Sequence, residues 1–396
     1  MPNFTQEEFD ARIFKLQQLM AEKGVDLAVL DQNSDLYYFT GSVLPQYLVV
    51  PAVGKPVLLA RKAVERIKAE VPQLSLEYFQ NTKELRQIID DCGFLRAERV
   101  GFTLEKTAYV IVERWLQLLS GAAAVEISAA VRQLRMVKSQ RELEIISAAG
   151  RIIAGIPQVV RERFRPGMTE LELSVAVENY LRIHGHSGFL RVRRETVEIG
   201  NGVCSAGTNA LAGTKFEGIC GGVGLSQANP FGAADRKIPY GQPVILDYGL
   251  NYQGYHVDLT RMFCWGLPTP EVFRAFQVML EIEQTLMEEL RPGRLGSELY
   301  AAAVQLAADY GYEKEFMGLG PEKVRFVGHG IGLELDELPL LAPKMDYPVV
   351  AGMTIALEPK VALPGLGVIG NEDTVVVRED GCECLTMAAP EMIIVE

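Results

Sequence analysis

The sequence predicts an α+β chain of two domains, a mixed α/β unit over residues 1–130 and a larger α+β unit over 131–396. Three observations predict it. The length of 396 residues exceeds the ~100–200 residues of a single domain. The first third alternates helical and strand patterns. A capping-box signature, Ser139-Gln-Arg-Glu142, then opens a new helix: the serine accepts from a free backbone N–H at the helix start, and the glutamate reaches back to the cap.

In the first unit, residues 5–23 place Phe9, Ile13, Leu16, Leu19 and Met20 at helical spacing and stop at Gly24, a residue suited to the left-handed turn that ends helices. DLAVL reads as a short strand and QNSD as a turn before the aromatic YYF. YLVV and PVLLA flank Val53-Gly54-Lys55 as a hairpin. A helix over 63–71, a strand at LEYF, a helix over 83–92, a strand at RVGFT and a helix ending at 119 complete the unit. In the second, the helix from 139 runs to 163 and is closed by Pro166-Gly167, and 169–184 forms another amphipathic helix. Strand and loop follow from Gly188, broken by helices over 270–290 and 295–310.

Composition narrows the function. With 39 basic and 51 acidic residues the net charge is −12, the wrong sign for gripping nucleic acid or anionic lipid. Apolar residues at 48% and charged residues at 23% are ordinary for a folded chain. No apolar run approaches the ~18 residues of a membrane span. The opening MPNFTQEEFD has neither a basic stretch nor an apolar core, so the expected compartment is the cytoplasm, with the six cysteines reduced. Cys382-x-Cys384 lacks the second pair a zinc site needs. Gly365-x-Gly367-x-x-Gly370 joins two strands instead of opening a helix, so no dinucleotide cofactor is expected. There are only four histidines, His184, His186, His256 and His329, too few for a site that needs several imidazoles.

Chemistry concentrates in two hairpin-like segments. In VILDYGLNYQGYHVDLTRMF, strands over 244–250 and 255–263 flank a turn whose axis is expected between Tyr252 and Gln253, which sets Asp247 opposite Asp258. In TIALEPKVALPGLGVIGNEDTVVV a turn centred on Gly365 sets Glu358 opposite Glu372. Facing carboxylates repel unless a positive charge lies between them, and a buried ionised carboxylate without a partner costs several kcal/mol. Four acids in two cross-strand pairs therefore call for divalent cations. FVGHGIGLELDELP adds His329 between Gly328 and Gly330, glycines that allow close backbone approach. One nitrogen among four carboxylates suits two adjacent Mn²⁺, Co²⁺ or Zn²⁺ ions, with hydrolytic chemistry, better than a structural zinc. His256, two positions before Asp258, shares its strand face and is a candidate contact to ligands or substrate.

The ordered set Asp247, Asp258, His329, Glu358 and Glu372, within LDYG, VDLTR, GHGIGLE, LEPK and NEDT, resembles the pita-bread metallopeptidase family, which includes methionine aminopeptidase, aminopeptidase P, prolidase and the metal-free creatinase. The first unit and RMVKSQRELEIISAAGRI resemble the creatinase-type N-terminal domain and its linker helix. The resemblance implies a catalytic pita-bread domain over 131–396, hydrolysis of Xaa-Pro bonds as in a dipeptidase or aminopeptidase P, two divalent ions with Mn²⁺ foremost, and a homodimer. It implies that Asp247 ligates one ion and that Asp258 and Glu372 bridge both. His329 and Glu358 complete the other ion, with Glu358 also shuttling the proton of the attacking water.

The chain departs from the family at the substrate. No histidine lies between His186 and His256, where the peptidases carry one. Asp336 stands seven residues after His329, where a second substrate histidine is usual. Arg325 takes the place of a third, and Gly370 that of an arginine frequent in proline-specific members. Arg325, Ser226 and Gln227 are therefore candidates to hold substrate, and Asp336 to act as a base or added ligand. The alternative is a metal-dependent hydrolase or lyase acting on a non-peptide small molecule.

Overall fold

The amphipathic stripe at the start of the chain forms α1 (Gln6–Lys23), whose cap Thr5 accepts from the Glu8 N–H and whose end, Gly24, adopts φ 63°. The computed structural model describes residues 4–193 and 199–396. The chain separates into two units, Met1–Arg135 and Met136–Glu396.

The first unit continues with β1 (Leu27–Leu30), α2 (Asn33–Thr40), β2 (Tyr47–Pro51), β3 (Val57–Ala60), α3 (Val64–Glu70), β4 (Ser75–Tyr78), α4 (Thr82–Asp91), β5 (Arg99–Phe102), α5 (Tyr109–Leu118), β6 (Ala123–Glu126) and α6 (Ser128–Met136). Its six strands lie in the order β4-β3-β2-β1-β5-β6, with β1 antiparallel to β2 and parallel to β5. The segment expected as a turn at QNSD is instead the start of α2. Asn33, Ser34 and Asp35 occupy its first turn, where short polar side chains are tolerated, and Leu36, Tyr38 and Phe39 are buried behind them. Strand β6 is largely exposed and carries no alternation that would announce it.

The second unit begins with α7 (Gln140–Ile153), α8 (Ile156–Arg163) and α9 (Glu170–Ile183). Both halves of the capping box at Ser139 and Glu142 are formed. The single helix expected to reach 163 is broken at Ala154-Gly155, because α9 packs so close that a Cβ on Gly155 would lie 2.0 Å from the Tyr180 hydroxyl. Pro157 restarts the helix in its first turn, where its missing N–H costs nothing. By length and composition Gln140–Arg163 could cross a membrane, its most apolar window reaching a mean hydropathy of 1.4, yet 56% of that window is buried within the fold.

There follow β7 (Gly202–Ala206), β8 (Pro243–Tyr252), β9 (Tyr255–Trp265), α10 (Pro270–Glu289), α11 (Gly296–Asp309), β10 (Gly328–Gly330), β11 (Glu337–Leu341), β12 (Thr354–Leu357), β13 (Lys360–Leu363), β14 (Gly367–Gly370), β15 (Glu372–Val377), β16 (Cys382–Cys384) and β17 (Ile393–Val395). A nine-stranded sheet runs β11-β10-β12-β15-β9-β8-β7, with β16 on β15 and β17 on β9, while β13 and β14 form a separate ribbon. Met279, Ile282 and Leu286 of α10 share one apolar core with Ile355, Leu357 and Val375 of the sheet.

The register of the first hairpin corrects the sequence reading. The turn is Gln253-Gly254, both at positive φ, 52° and 92°, as a two-residue hairpin turn requires. Tyr252 therefore pairs with Tyr255, Asp247 with Thr260, and Asp258 with Gly249. The displacement is two residues, so both acids stay on the same sheet face. In the second segment the ladder follows the expected register on both sides of Glu358 and Glu372, with Leu357 opposite Asp373 and Lys360 opposite Gly370.

Arg261 braces the strands behind the acids. It is fully buried, and its guanidinium donates to both Asp373 oxygens at 2.8 and 3.0 Å, to the Glu372 carbonyl at 2.9 Å and to Asn371 Oδ1 at 3.1 Å. Replacing it by methionine strands a buried carboxylate, so Arg261→Met should lower unfolding free energy by about 3–5 kcal/mol in urea titrations. A loss below about 1 kcal/mol would contradict this role.

His186 closes the other end of β8. Its Nε2–H donates to Asn201 Oδ1 at 2.8 Å and its Nδ1 accepts the Asn251 N–H at 3.0 Å. Accepting at Nδ1 needs the neutral ring, and burial first of all pushes its pKa down. The unfolded imidazole takes a proton near pH 6.5 while the folded one does not, so stability is full above that pH and falls as pH drops below it. The slope of unfolding free energy against pH below 6.5 should be shallower in His186→Gln, by at most about 1.4 kcal/mol per pH unit. Identical slopes would count against it.

Candidate active site

Strand alternation and register bring the acids together. Asp247 on β8 pairs with Thr260 on β9, and Thr260 pairs in turn with Glu372 on β15, so the three side chains stand in a row on one sheet face. Asp258 lies two positions along β9 from Thr260, on the same face. Thr374 fixes the place where β15 turns from β9 to β16. Its hydroxyl accepts the Asp258 N–H at 2.9 Å and donates to the Asp258 carbonyl at 3.0 Å. His329 enters from β10, opposite Ala356 of β12. Its flanking glycines are required by close approach, since a Cβ on Gly328 would lie 2.6 Å from the Ala356 carbonyl oxygen, and one on Gly330 2.2 Å from that of Leu338.

Asp247, Asp258, His329, Glu358, Glu372 and Asp336 all line one cavity. His329 Nδ1 sits 3.0 Å from the Gly330 carbonyl oxygen. A carbonyl only accepts, so Nδ1 carries a hydrogen and Nε2 is the nitrogen left to face a metal ion, the arrangement typical of metal-binding imidazoles. That Nε2 lies 3.5 Å from Glu358 Oε1, and Asp336 Oδ1 lies 3.8 Å from Nδ1. Burial pushes the Asp258 carboxyl well up, with the Glu372 and Asp247 charges adding to it, and burial likewise raises Glu372 to about 7.

The centre holds a residue to which the sequence reading gave no role. Lys360 Nζ lies 3.1 Å from Asp247 Oδ2, 2.8 Å from Glu358 Oε2 and 2.8 Å from Glu372 Oε2. Burial alone would push its pKa down, but Asp247, Glu358 and Glu372 outweigh burial and hold the ammonium charged. The signal in the sequence was its position two residues after Glu358 in LEPK. Cys220 also enters, its thiol 3.0 Å from Asp247 Oδ2, with no motif to announce it.

Among the described residues, one set of donors clusters tightly enough to hold a divalent ion. Asp258, His329 and Glu372 offer ligand atoms within 4.8 Å of one another. Thr260 and Lys360 both donate to Glu372 Oε2, at 2.8 Å each, whereas Oε1 is buried without a hydrogen-bond partner, an orphaned acceptor that a cation would satisfy. The set expected for the other ion centred on Asp247, whose Oδ2 is already held by an ammonium and a thiol. A second ion, which the resemblance implies at this position, would have to share Asp247 with them.

Four further candidates lie elsewhere. His256 is fully buried, its Nδ1 donating to the Gly332 carbonyl at 3.0 Å and its Nε2 accepting the Arg191 N–H at 3.0 Å. Burial pushes its pKa down to about 3. It ties β9 to the 332 loop and does not line the cavity. Arg325 is exposed and outside the cavity lining, as are Ser226 and Gln227. Only His329 among the four histidines reaches the cavity. Leu190, Phe216, Phe231, Phe326 and Leu335 supply its apolar wall.

Residues 144–379 match the family model described as Metallopeptidase family M24, and 12–137 match that for the Creatinase/Prolidase N-terminal domain. An Xaa-Pro dipeptidase of Pyrococcus furiosus is 26% identical over 96% of this chain and 99% of its own. A probable dipeptidase of Mycobacterium tuberculosis is 27% identical over 99% of this chain and 98% of its own. Among solved structures, the Xaa-Pro dipeptidase from Bacillus anthracis superposes with a TM-score of 0.83 at 22% identity, covering 98% of this chain and 100% of that one. The prolidase from Pyrococcus horikoshii superposes at 0.81 with 23% identity, covering 97% and 100%.

Proposed function

Because the chain belongs to metallopeptidase family M24, with the pita-bread fold and a creatinase-type N-terminal domain, we propose that it hydrolyses Xaa-Pro peptide bonds in small peptides. The observation that carries this reading is likeness to an Xaa-Pro dipeptidase along nearly the whole chain, combined with the Asp258, His329 and Glu372 donor set at the head of the cavity. Those three residues would hold a divalent ion, and the oxygen-rich set suits Mn²⁺. Such an ion, when bound, polarises the scissile carbonyl and acidifies water.

The chain's own residues do the rest. Glu358 Oε2 is held by Lys360, which leaves Oε1, on the His329 side, to take the proton of the attacking water and return it to the leaving nitrogen. Thr260 holds Glu372 in place from the neighbouring strand. The apolar wall of Phe216, Phe231 and Phe326 packs on the proline ring and keeps bulk water away from the reacting carbonyl.

One observation favours a second reading. The cavity carries a single imidazole and places the acid Asp336 beside it, a lining better suited to an amine or cationic group than to a developing oxyanion. On that reading the substrate is a non-peptide small molecule, cleaved by the same metal-dependent machinery.

With Mn²⁺ supplied, the enzyme should release free proline from an Xaa-Pro dipeptide, and Glu358→Gln should lower kcat by about 10²–10⁴-fold with the fold retained. Metal-loaded protein that releases no proline from Xaa-Pro dipeptides or longer Xaa-Pro peptides, yet turns over a small amide or amine, would move the assignment to the second reading.

A further inference from the structure

Lys360 is a strand residue whose side chain is only 1% exposed, so its ammonium has no route to water of the kind lysines usually take. Its backbone is pinned: Lys360 pairs with Gly370 across the β13–β14 ribbon, and its carbonyl accepts the Met317 N–H at 2.9 Å. Room for the side chain is made by the facing glycine, since a Cβ on Gly370 would lie 2.4 Å from Lys360 Cγ. An ammonium has three N–H donors, and here three carboxylates, those of Asp247, Glu358 and Glu372, receive them within 3.1 Å.

We propose that Lys360 is a built-in cation: among Asp247, Glu358 and Glu372 its ammonium takes the place of one of two divalent ions, so that a single ion on Asp258, His329 and Glu372 completes the centre. The inference rests on the metal-dependent reading above. Glu372 is divided between the two cations, Oε2 to Lys360 and the orphaned Oε1 to the exchangeable ion. Charge agrees. Four carboxylates less one ammonium leave three negative charges, of which one divalent ion cancels two, whereas a second ion would leave a net positive charge and crowd the ammonium in one buried cradle. The covalently held charge cannot be removed by a chelator, and Asp247 becomes the anchor of Lys360 instead of a metal ligand.

The test is a Mn²⁺ titration of the full chain, read by metal analysis and electron paramagnetic resonance. Wild-type protein should bind about one Mn²⁺ per chain and give the spectrum of an isolated ion. Asp247→Asn should still bind about one, and Asp258→Asn should bind at least tenfold more weakly. Lys360→Ala should take up a second ion, with the broadened spectrum of two coupled ions about 3.5–4 Å apart.

Two ions in the wild type, loss of one ion on Asp247→Asn, or a folded Lys360→Ala that stays at one ion would each overturn the proposal. If Lys360→Ala fails to fold, the wild-type and Asp247→Asn counts decide. One bound ion without Xaa-Pro cleavage overturns the substrate assignment and leaves Lys360 in its role. Two ions with cleavage do the reverse, and no bound ion overturns both.

Discussion

Three carboxylates, Asp258, Glu358 and Glu372, are buried in the second unit beside the partly exposed Asp247, and their mutual repulsion sets the constraint that its other features answer. Unanswered, such a cluster would take up protons or unfold the sheet. Lys360 answers part of it from inside the chain. Its contact with three acids makes the ribbon of β13 and β14 an arm that delivers a cation, with Gly370 absent of side chain so that the arm can close.

The scaffold behind the acids is a dense polar network. Arg261 binds Asp373, Asn371 and the Glu372 backbone, and Asn371 donates in turn to Glu283 of α10. Thr374 and Thr386 tie β15 to its neighbours, Thr374 at Asp258 and Thr386 at Asp373. Asp258 and Glu372 therefore sit on strands whose positions are fixed by these bonds. That rigidity is what an active site needs if donors are to be held in place before any ion or substrate arrives.

Much of this was legible in the sequence, for a simple reason. Strand side chains alternate with a period of two, so Asp247, Asp258, Glu358 and Glu372 could be assigned to shared faces from spacing alone, and even a turn misplaced by one residue, which shifts the register by two, left the faces intact. The turn itself was misread because Gln253, a residue not marked for positive φ, adopts it together with Gly254. His256 shared the right face but stood one pair too far from the acids, where backbone groups of the 332 loop and Arg191 claim both its nitrogens. Arg325 was placed by family position alone, and the loop that carries it leaves it in solvent. The role of Lys360 was missed despite its place two residues after Glu358, because a strand lysine ordinarily reads as a solvated edge. Its burial among three carboxylates shows that it points inward.

The centre thus reads as a family metal site in which one of two positive charges has been written into the chain. Anomalous diffraction at the manganese edge, on crystals grown with excess Mn²⁺, tests this most directly. The account predicts one peak per chain, against Asp258, His329 and Glu372, with Lys360 still bonded to Asp247. Two peaks, with Lys360 displaced from the carboxylates, would contradict it.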